Sequence, residues 1–329
     1  MANETSLTLQ YASLLSTTLM EVLDSGAMHD QVFNDDVTLQ WLRSKNRVKE
    51  IEGGERIRVG LMHEKNATAG WYADYQQYDV TPSEGFTTAF FVWKQADVNI
   101  AVSGKELRSN KGASKLVSLQ QEKTGQAASS LVDLLATGIF SDGTGSGSKQ
   151  LTGFQAMIET TPGTTAYASV PVGNTAWRNQ VQSSVGSAAV NLVPKMRTLW
   201  NNCRQGKGGA NGAPDYIVTT QTVAEAMEAL LFPSVRYESN PKSGADAGIS
   251  TLKFKGATVE WDAYCDSGVL YMLNSKHIFL FVHPEANFSM AAGGFQKPIN
   301  QDALVTQILF QGNLCTNNRR KLGKLQGIT

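Results

Sequence analysis

Two alternating stretches joined by an overlong aromatic connection constrain this chain most. In "ERIRVGL", residues 55–61, Ile57, Val59 and Leu61 fall on one side and Arg56 and Arg58 on the other, behind Gly53-Gly54. That period of two predicts a half-buried strand. Its predicted partner is "FTTAFFVWKQADVNIAV", residues 86–102, where Ala96, Val98, Ile100 and Val102 alternate with Asp97 and Asn99. About two dozen residues separate the two, beyond an ordinary hairpin turn. They carry Trp71, Tyr72, Tyr75 and Tyr78. A two-stranded arm tipped with aromatics is marginal in water on its own, so it needs a surface to lie on. Either its own chain's core or a partner meets that need, and the distance of these rings from other apolar sequence favours a partner no less than the core.

The next strongest pattern is helical. Over 113–137, Leu116, Leu119, Lys123, Ala127, Leu131 and Leu134/Leu135 recur every three or four residues. The implied helix is about 37 Å long at 1.5 Å per residue. Gly125 weakens it and Gly138 is placed to stop it. Upstream, Leu7, Tyr11, Leu14, Leu15, Met20 and Leu23 suggest an amphipathic N-terminal arm. A polar stretch over 24–50 follows, anchored by Trp41-Leu42.

Downstream the pattern becomes mixed. "VNLVPKMRTLWNNC" puts Val193, Met196, Leu199, Trp200 and Cys203 on one helical face, with Pro194 tolerated in the first turn if Asn191 is the N-cap. "APDYIVTT" predicts a buried strand leading into a helix over 221–231, where Thr222 and Glu225 fit a capping box. Strands are expected at 254–261, 269–273, 277–282 and 303–311. No period of 20 to 50 residues recurs, which excludes a solenoid.

Charge excludes some functions. The 29 basic and 29 acidic residues cancel, so no broad grip on nucleic acid is expected, although a container surrounding it is allowed. Charged residues make up 18% of the chain, below the roughly 25% of ordinary globular proteins, which fits burial against other chains. The start of the sequence lacks a secretion signal, and no apolar run of about 18 residues is present, so no membrane association is expected. Cys203, Cys265 and Cys315 stand far apart and read as reduced thiols of a cytoplasm.

The glycine-rich run "SDGTGSGSKQ", 141–150, fails as a phosphate loop. Lys149 follows Ser148 without the GxxxxGK[ST] spacing, and Gly143, Gly145 and Gly147 follow a helix rather than a strand. A turn joining two lobes is the better reading. His277 and His283, six apart, have no second ligand at metal spacing, and His29 and His63 are isolated. No metal or cofactor is therefore expected. Cys265, beside Asp266 and Ser267 with His277 downstream, is the one candidate nucleophile, and its pattern reads more simply as a core or turn cysteine. Asp35-Asp36 reads as a solvated turn. In "NNRRKLGKL" the charges Arg319, Arg320, Lys321 and Lys324 suit ion pairs between subunits or a solvated face better than phosphate contacts.

Two stretches, "LLATGIFSDGTGSGSKQLTGFQAMI" and "ILFQGNLCTNNRRKLGKLQGI", together with the order of segments, give the chain its resemblance. It resembles a tailed-bacteriophage major capsid protein of the HK97-like fold over nearly its whole length. The resemblance implies an α+β fold with an N-terminal arm (1–48), an extended β-hairpin loop (49–86), and a peripheral domain (87–149 and 286–329). That domain holds a long spine helix (about 112–138), and an axial α/β domain (150–285) is inserted in it. It also implies pentamers and hexamers tiling an icosahedral shell around double-stranded DNA, without catalysis.

Under that resemblance Trp71, Tyr72, Tyr75, Tyr78, Arg319 and Arg320 are the expected contacts between subunits. Portal and scaffolding proteins, and a decoration protein, are the implied partners. The virion is the implied location, with assembly in the bacterial host cytoplasm. Some members of the family cross-link a loop lysine to a neighbour's asparagine. Lys65 and Asn317 or Asn318 carry no matching motif, so no covalent link is assigned. The alternatives are an encapsulin-type nanocompartment shell, a cytoplasmic thiol hydrolase using Cys265, and a β-rich phage tail or decoration subunit, which the long helix disfavours.

Overall fold

The computed structural model describes residues 36–82, 84–109, 113–205, 212–235, 252–290 and 294–329, with side chains outside 107–122 and 231–235. The arm positions Leu7 to Leu23, His29, Asp35 and the side chains of Leu116 and Leu119 lie outside the described residues. In chain order the elements are α1 (Val37–Ser44), β1 (Val48–Glu50), β2 (Arg56–Met62), β3 (Phe86–Val92), β4 (Lys94–Ser103), α2 (Gly104–Ser109) and α3 (Ala113–Ile139). After them come α4 (Phe154–Met157), β5 (Gln180–Gln182), α5 (Ala188–Arg204), β6 (Tyr216–Thr219), α6 (Gln221–Val235), β7 (Lys253–Phe254) and β8 (Ala257–Trp261). The chain closes with β9 (Val269–Leu273), β10 (Ile278–Met290), β11 (Ala303–Thr316) and β12 (Gly323–Gln326).

The chain divides into two compact units. The first takes in the described residues up to Gly53, Trp93–Gly153 and Leu280–Leu314. Its sheet runs β1-β10-β11-β4, with β1 parallel to β10 and β11 antiparallel to β4. Helix α3 packs on β4. Its buried stripe is Ala127, Ala128, Leu131, Val132, Leu135, Ala136 and Ile139, a run of three- and four-residue steps. Of the Leu134/Leu135 pair only Leu135 faces inward, and Leu134 is 48% exposed. Asp36 is a buried N-cap rather than a solvated turn: its Oδ1 accepts from the Leu39 amide at 2.8 Å.

The segment 86–102 is two strands rather than one. The chain breaks at Trp93; β3 pairs with β2, and β4 pairs with β11. No Gly or Pro marks the break, so the apolar run ending at Trp93 and the alternating stretch after it read as one strand. Gly153 allows the chain to return under the end of α3. A Cβ there would lie 2.3 Å from the Ile139 carbonyl oxygen and 2.5 Å from that of Gly138.

The second unit takes in Gly54–Val92, Phe154–Phe279 and Cys315–Thr329. Its six-stranded sheet runs β5-β12-β9-β6-β8-β7. Strands β6 and β8 are parallel and joined through α6, a βαβ unit. Leu192, Met196, Leu199 and Cys203 of α5 and Val223 and Met227 of α6 share one core with Ile217, Leu270, Met272 and Leu325 of the sheet. Every residue of β9 is buried. Tyr271, on its other face, packs against Phe154 with ring centroids 5.8 Å apart. A strand covered on both sides reads as a continuous apolar run, as "VLYML" does.

Helix α5 begins at Ala188 behind Ser187, so Pro194 lies inside it rather than in its first turn. The missing N–H would have served the Val190 carbonyl. Val190 is 72% exposed, and water can serve that carbonyl instead.

Candidate assembly surface

Strands β2 and β3 form the hairpin that alternation predicts for 55–61, with Ile57 opposite Phe91 and Leu61 opposite Thr87. Ile57, Leu61, Ala89 and Phe91 are buried on one face. The base is anchored on its own unit: the Phe90 amide donates to the Ala168 carbonyl at 2.9 Å, and the Phe91 and Tyr167 rings meet edge to face at 5.8 Å. Anchored this way, the pair of strands does not stand alone.

Beyond the base, apolar side chains turn outward. Among the described residues, Met62, Trp71, Tyr72, Tyr75, Tyr78, Val80, Phe86 and Val92 supply eight of the fourteen exposed large hydrophobic side chains. Such a concentration of exposed apolar side chains is unusual for the surface of a lone chain. Trp71 and Tyr75 are as exposed as in a free chain, at 101% each. Tyr72 and Tyr78 face each other with centroids 5.1 Å apart. Asn66 and Asp79 each accept from the amide and hydroxyl of a threonine two residues on, Thr68 and Thr81, which tightens the loop locally.

The basic cluster near the C-terminus differs from the expectation. Arg319 is 3% exposed. Its Nε donates to the Met157 carbonyl at 2.7 Å, and one terminal nitrogen lies 3.4 Å from Glu159 Oε1 and 3.3 Å from Asn179 Oδ1. The guanidinium also sits 4.5 Å from the centre of the Tyr167 ring. Lys321, 2% exposed, donates to the Arg204 and Gln205 carbonyls at 3.2 and 2.8 Å, closing the C-terminal end of α5. Lys324 donates to Thr160 Oγ1 at 3.4 Å. These cations point inward because helix ends and a buried carboxylate need donors there. Arg320 alone of the arginine pair is exposed.

The candidate nucleophile is unsuited to its role. Cys265 is buried, and burial, then the Asp266 and Asp262 carboxylates, hold its thiol far above the ordinary range. A nucleophilic cysteine needs the opposite shift. Burial pushes the Cys203 thiol up to about 12 and raises that of Cys315 well above normal. His277 Nδ1 lies 2.7 Å from Asn317 Oδ1, so both side chains already have a partner. His283 meets the Trp93 ring edge-on at 6.2 Å. Among the described residues, no group of three or more His, Cys, Asp or Glu side chains is placed to hold a metal ion, and no helix is long and apolar enough to cross a membrane.

No family model matches the sequence, and no curated protein matches it. Solved structures do match. The capsid asymmetric unit of cyanophage A-1(L) superposes with a TM-score of 0.60 at 13% identity, over 86% of this chain and 91% of that one. The chain has the HK97-like capsid fold of tailed phages. The capsid of a native GTA particle matches with a TM-score of 0.59 at 11% identity, over 88% and 90% of the two chains. A chain of the satellite phage P4 procapsid that includes the size determination protein matches at 0.54 and 10% identity, over 100% and 98%. Sequence likeness this low speaks to the fold. The HK97-like fold, mixed α and β, is the setting in which the exposed hairpin has to be understood.

Proposed function

We propose that this chain is the major capsid subunit of a tailed phage, assembling as pentamers and hexamers into an icosahedral shell around double-stranded DNA. The observation that carries this reading is the hairpin: on a capsid fold, a loop presenting Trp71, Tyr72, Tyr75 and Tyr78 to solvent calls for a second copy to cover it. In this reading residues 1–48 are the arm, 49–86 the extended loop, 87–149 and 286–314 the peripheral domain, and 150–285 the axial domain. Residues 315–329, expected in the peripheral domain, belong to the axial one because β12 pairs with β5 and β9 there. Arg320 joins the aromatics as an expected contact, whereas Arg319 acts inside its own unit. Portal, scaffolding and decoration proteins would be supplied separately, with assembly in the bacterial host cytoplasm. A formal charge of zero suits a wall that encloses DNA without gripping it.

Size-exclusion chromatography and negative-stain electron microscopy of the purified chain test this. Closed particles, or rings of five and six, are expected, with nucleic acid inside particles from infected cells. A monomer that resists assembly in every buffer would refute the shell. Closed particles holding protein cargo in place of nucleic acid would refute the DNA container.

A further inference from the structure

The first unit holds a cavity of about 210 Å³ between the start of β4, the last turns of α3 and the glycine-rich connection after α3. Its floor is apolar: Leu135, Leu151 and Phe310 are each at most 6% exposed, and Gly138 adds no side chain. Leu134 forms one wall. It is the single exposed large hydrophobic on the described part of α3, so the cavity continues outward into an uncovered apolar surface. Asp97 and Lys149 stand among the lining residues, and the Lys94 ammonium donates to the Ser148 carbonyl beside them. The cavity therefore offers an apolar slot with a carboxylate acceptor and ammonium groups around it.

We propose that this cavity is the socket for Trp71 of a second copy of the chain. This rests on the shell reading above and names where its loop lands. Size selects an aromatic ring, because a dry cavity of roughly 150 Å³ already admits benzene. Chemistry selects the indole. A buried indole N–H needs an acceptor, which the Asp97 carboxylate supplies, and its face attracts an ammonium such as that of Lys149. Exposure sets aside Tyr72 and Tyr78, which already cover part of each other, and the indole's larger face for an ammonium favours Trp71 over the equally exposed Tyr75.

The test is a cysteine pair, Trp71→Cys with Leu134→Cys, in particles assembled from the full chain and oxidised with diamide. The three native thiols are buried, which keeps the background low. Non-reducing denaturing gels should show a ladder of linked chains, absent when Trp71→Cys is paired instead with Val190→Cys. Separately, Leu134→Glu should raise the concentration needed for assembly at least tenfold, and Trp71→Phe, which keeps a ring but loses the N–H that Asp97 accepts, should raise it by a smaller factor of at least threefold. Particles that form without the 71–134 ladder, or in which the 71–190 pair links equally well, would overturn the socket and leave the shell standing. A wild-type chain that never forms particles would remove both.

Discussion

A charge kept out of water has to be matched on every side, and Arg319 is matched by a carbonyl, an amide oxygen, a carboxylate and a ring. Its side chain is 4% exposed and that of its partner Glu159 11%. Removing one member of such a pair leaves the other buried and alone, at a cost of about 3–5 kcal/mol. Arg319→Ala should therefore lower the unfolding free energy by that amount in urea. Arg320→Ala, on the exposed neighbour, should change it by less than about 0.5 kcal/mol. The buried thiols give a second expectation. Their folded-state pKa values are raised, so above the unfolded thiol value near 8.5 the folded chain holds protons that the unfolded chain has lost. Stability then falls with rising pH, by up to about 1.4 kcal/mol per pH unit for each such thiol. Lys321 and Lys324, shifted downward by burial, oppose this as pH approaches the usual lysine range. The urea midpoint should fall between pH 8 and 9.5, and a flat or rising midpoint would contradict the burial of these cysteines.

Elements whose burial shows in the residue pattern, a stripe for a helix or an unbroken apolar run for a covered strand, were the easiest to read. The stripe over 113–137 became α3 with two residues added at its end, and "VLYML" became β9 with its expected bounds. Strand boundaries that depend on partners were not legible. Nothing local in 86–102 says that its first half pairs with β2 and its second with β11, because no Gly or Pro marks the break at Trp93. Nor does "NNRRKLGKL" announce which cations turn inward, since the carbonyls of Arg204 and Met157 that draw them lie more than 100 residues away. The hairpin tip was legible because four aromatics with no apolar neighbours are conspicuous. The cavity was not, because β4, α3 and β11 assemble it from three distant stretches. Gly153 is a further feature that only the fold explains. Backbone oxygens 2.3 and 2.5 Å from an added methyl cannot swing aside as a side chain would. Gly153→Ala should cost about 1–3 kcal/mol, read as a lowered melting temperature, whereas Gly147→Ala meets no atom within 4 Å and carries only the strain of its positive φ.

At the scale of the proposed shell, some force has to join the copies. Three buried aromatic rings offer roughly 10–20 kcal/mol gross, taking about 150–250 Å² each at 25 cal/mol per Å². Association costs about 4–15 kcal/mol, so one loop contact is close to break-even and closed rings are needed to make it hold. The exposed hairpin presents its aromatic rings among scattered charges (Glu64, Lys65, Asp74, Asp79 and Glu84), and the chain as a whole is neutral. Apolar association strengthens on warming from the cold and responds little to screening, whereas exposed ion pairs weaken as the Debye length shrinks from about 10 Å at 0.1 M salt to 3 Å at 1 M. The concentration at which light scattering reports particles should therefore fall between about 5 and 25 °C, and it should change less than threefold between about 0.1 and 0.5 M sodium chloride. A tenfold rise with salt would mean that charges such as Arg320, rather than the aromatic tip, carry the contact between copies.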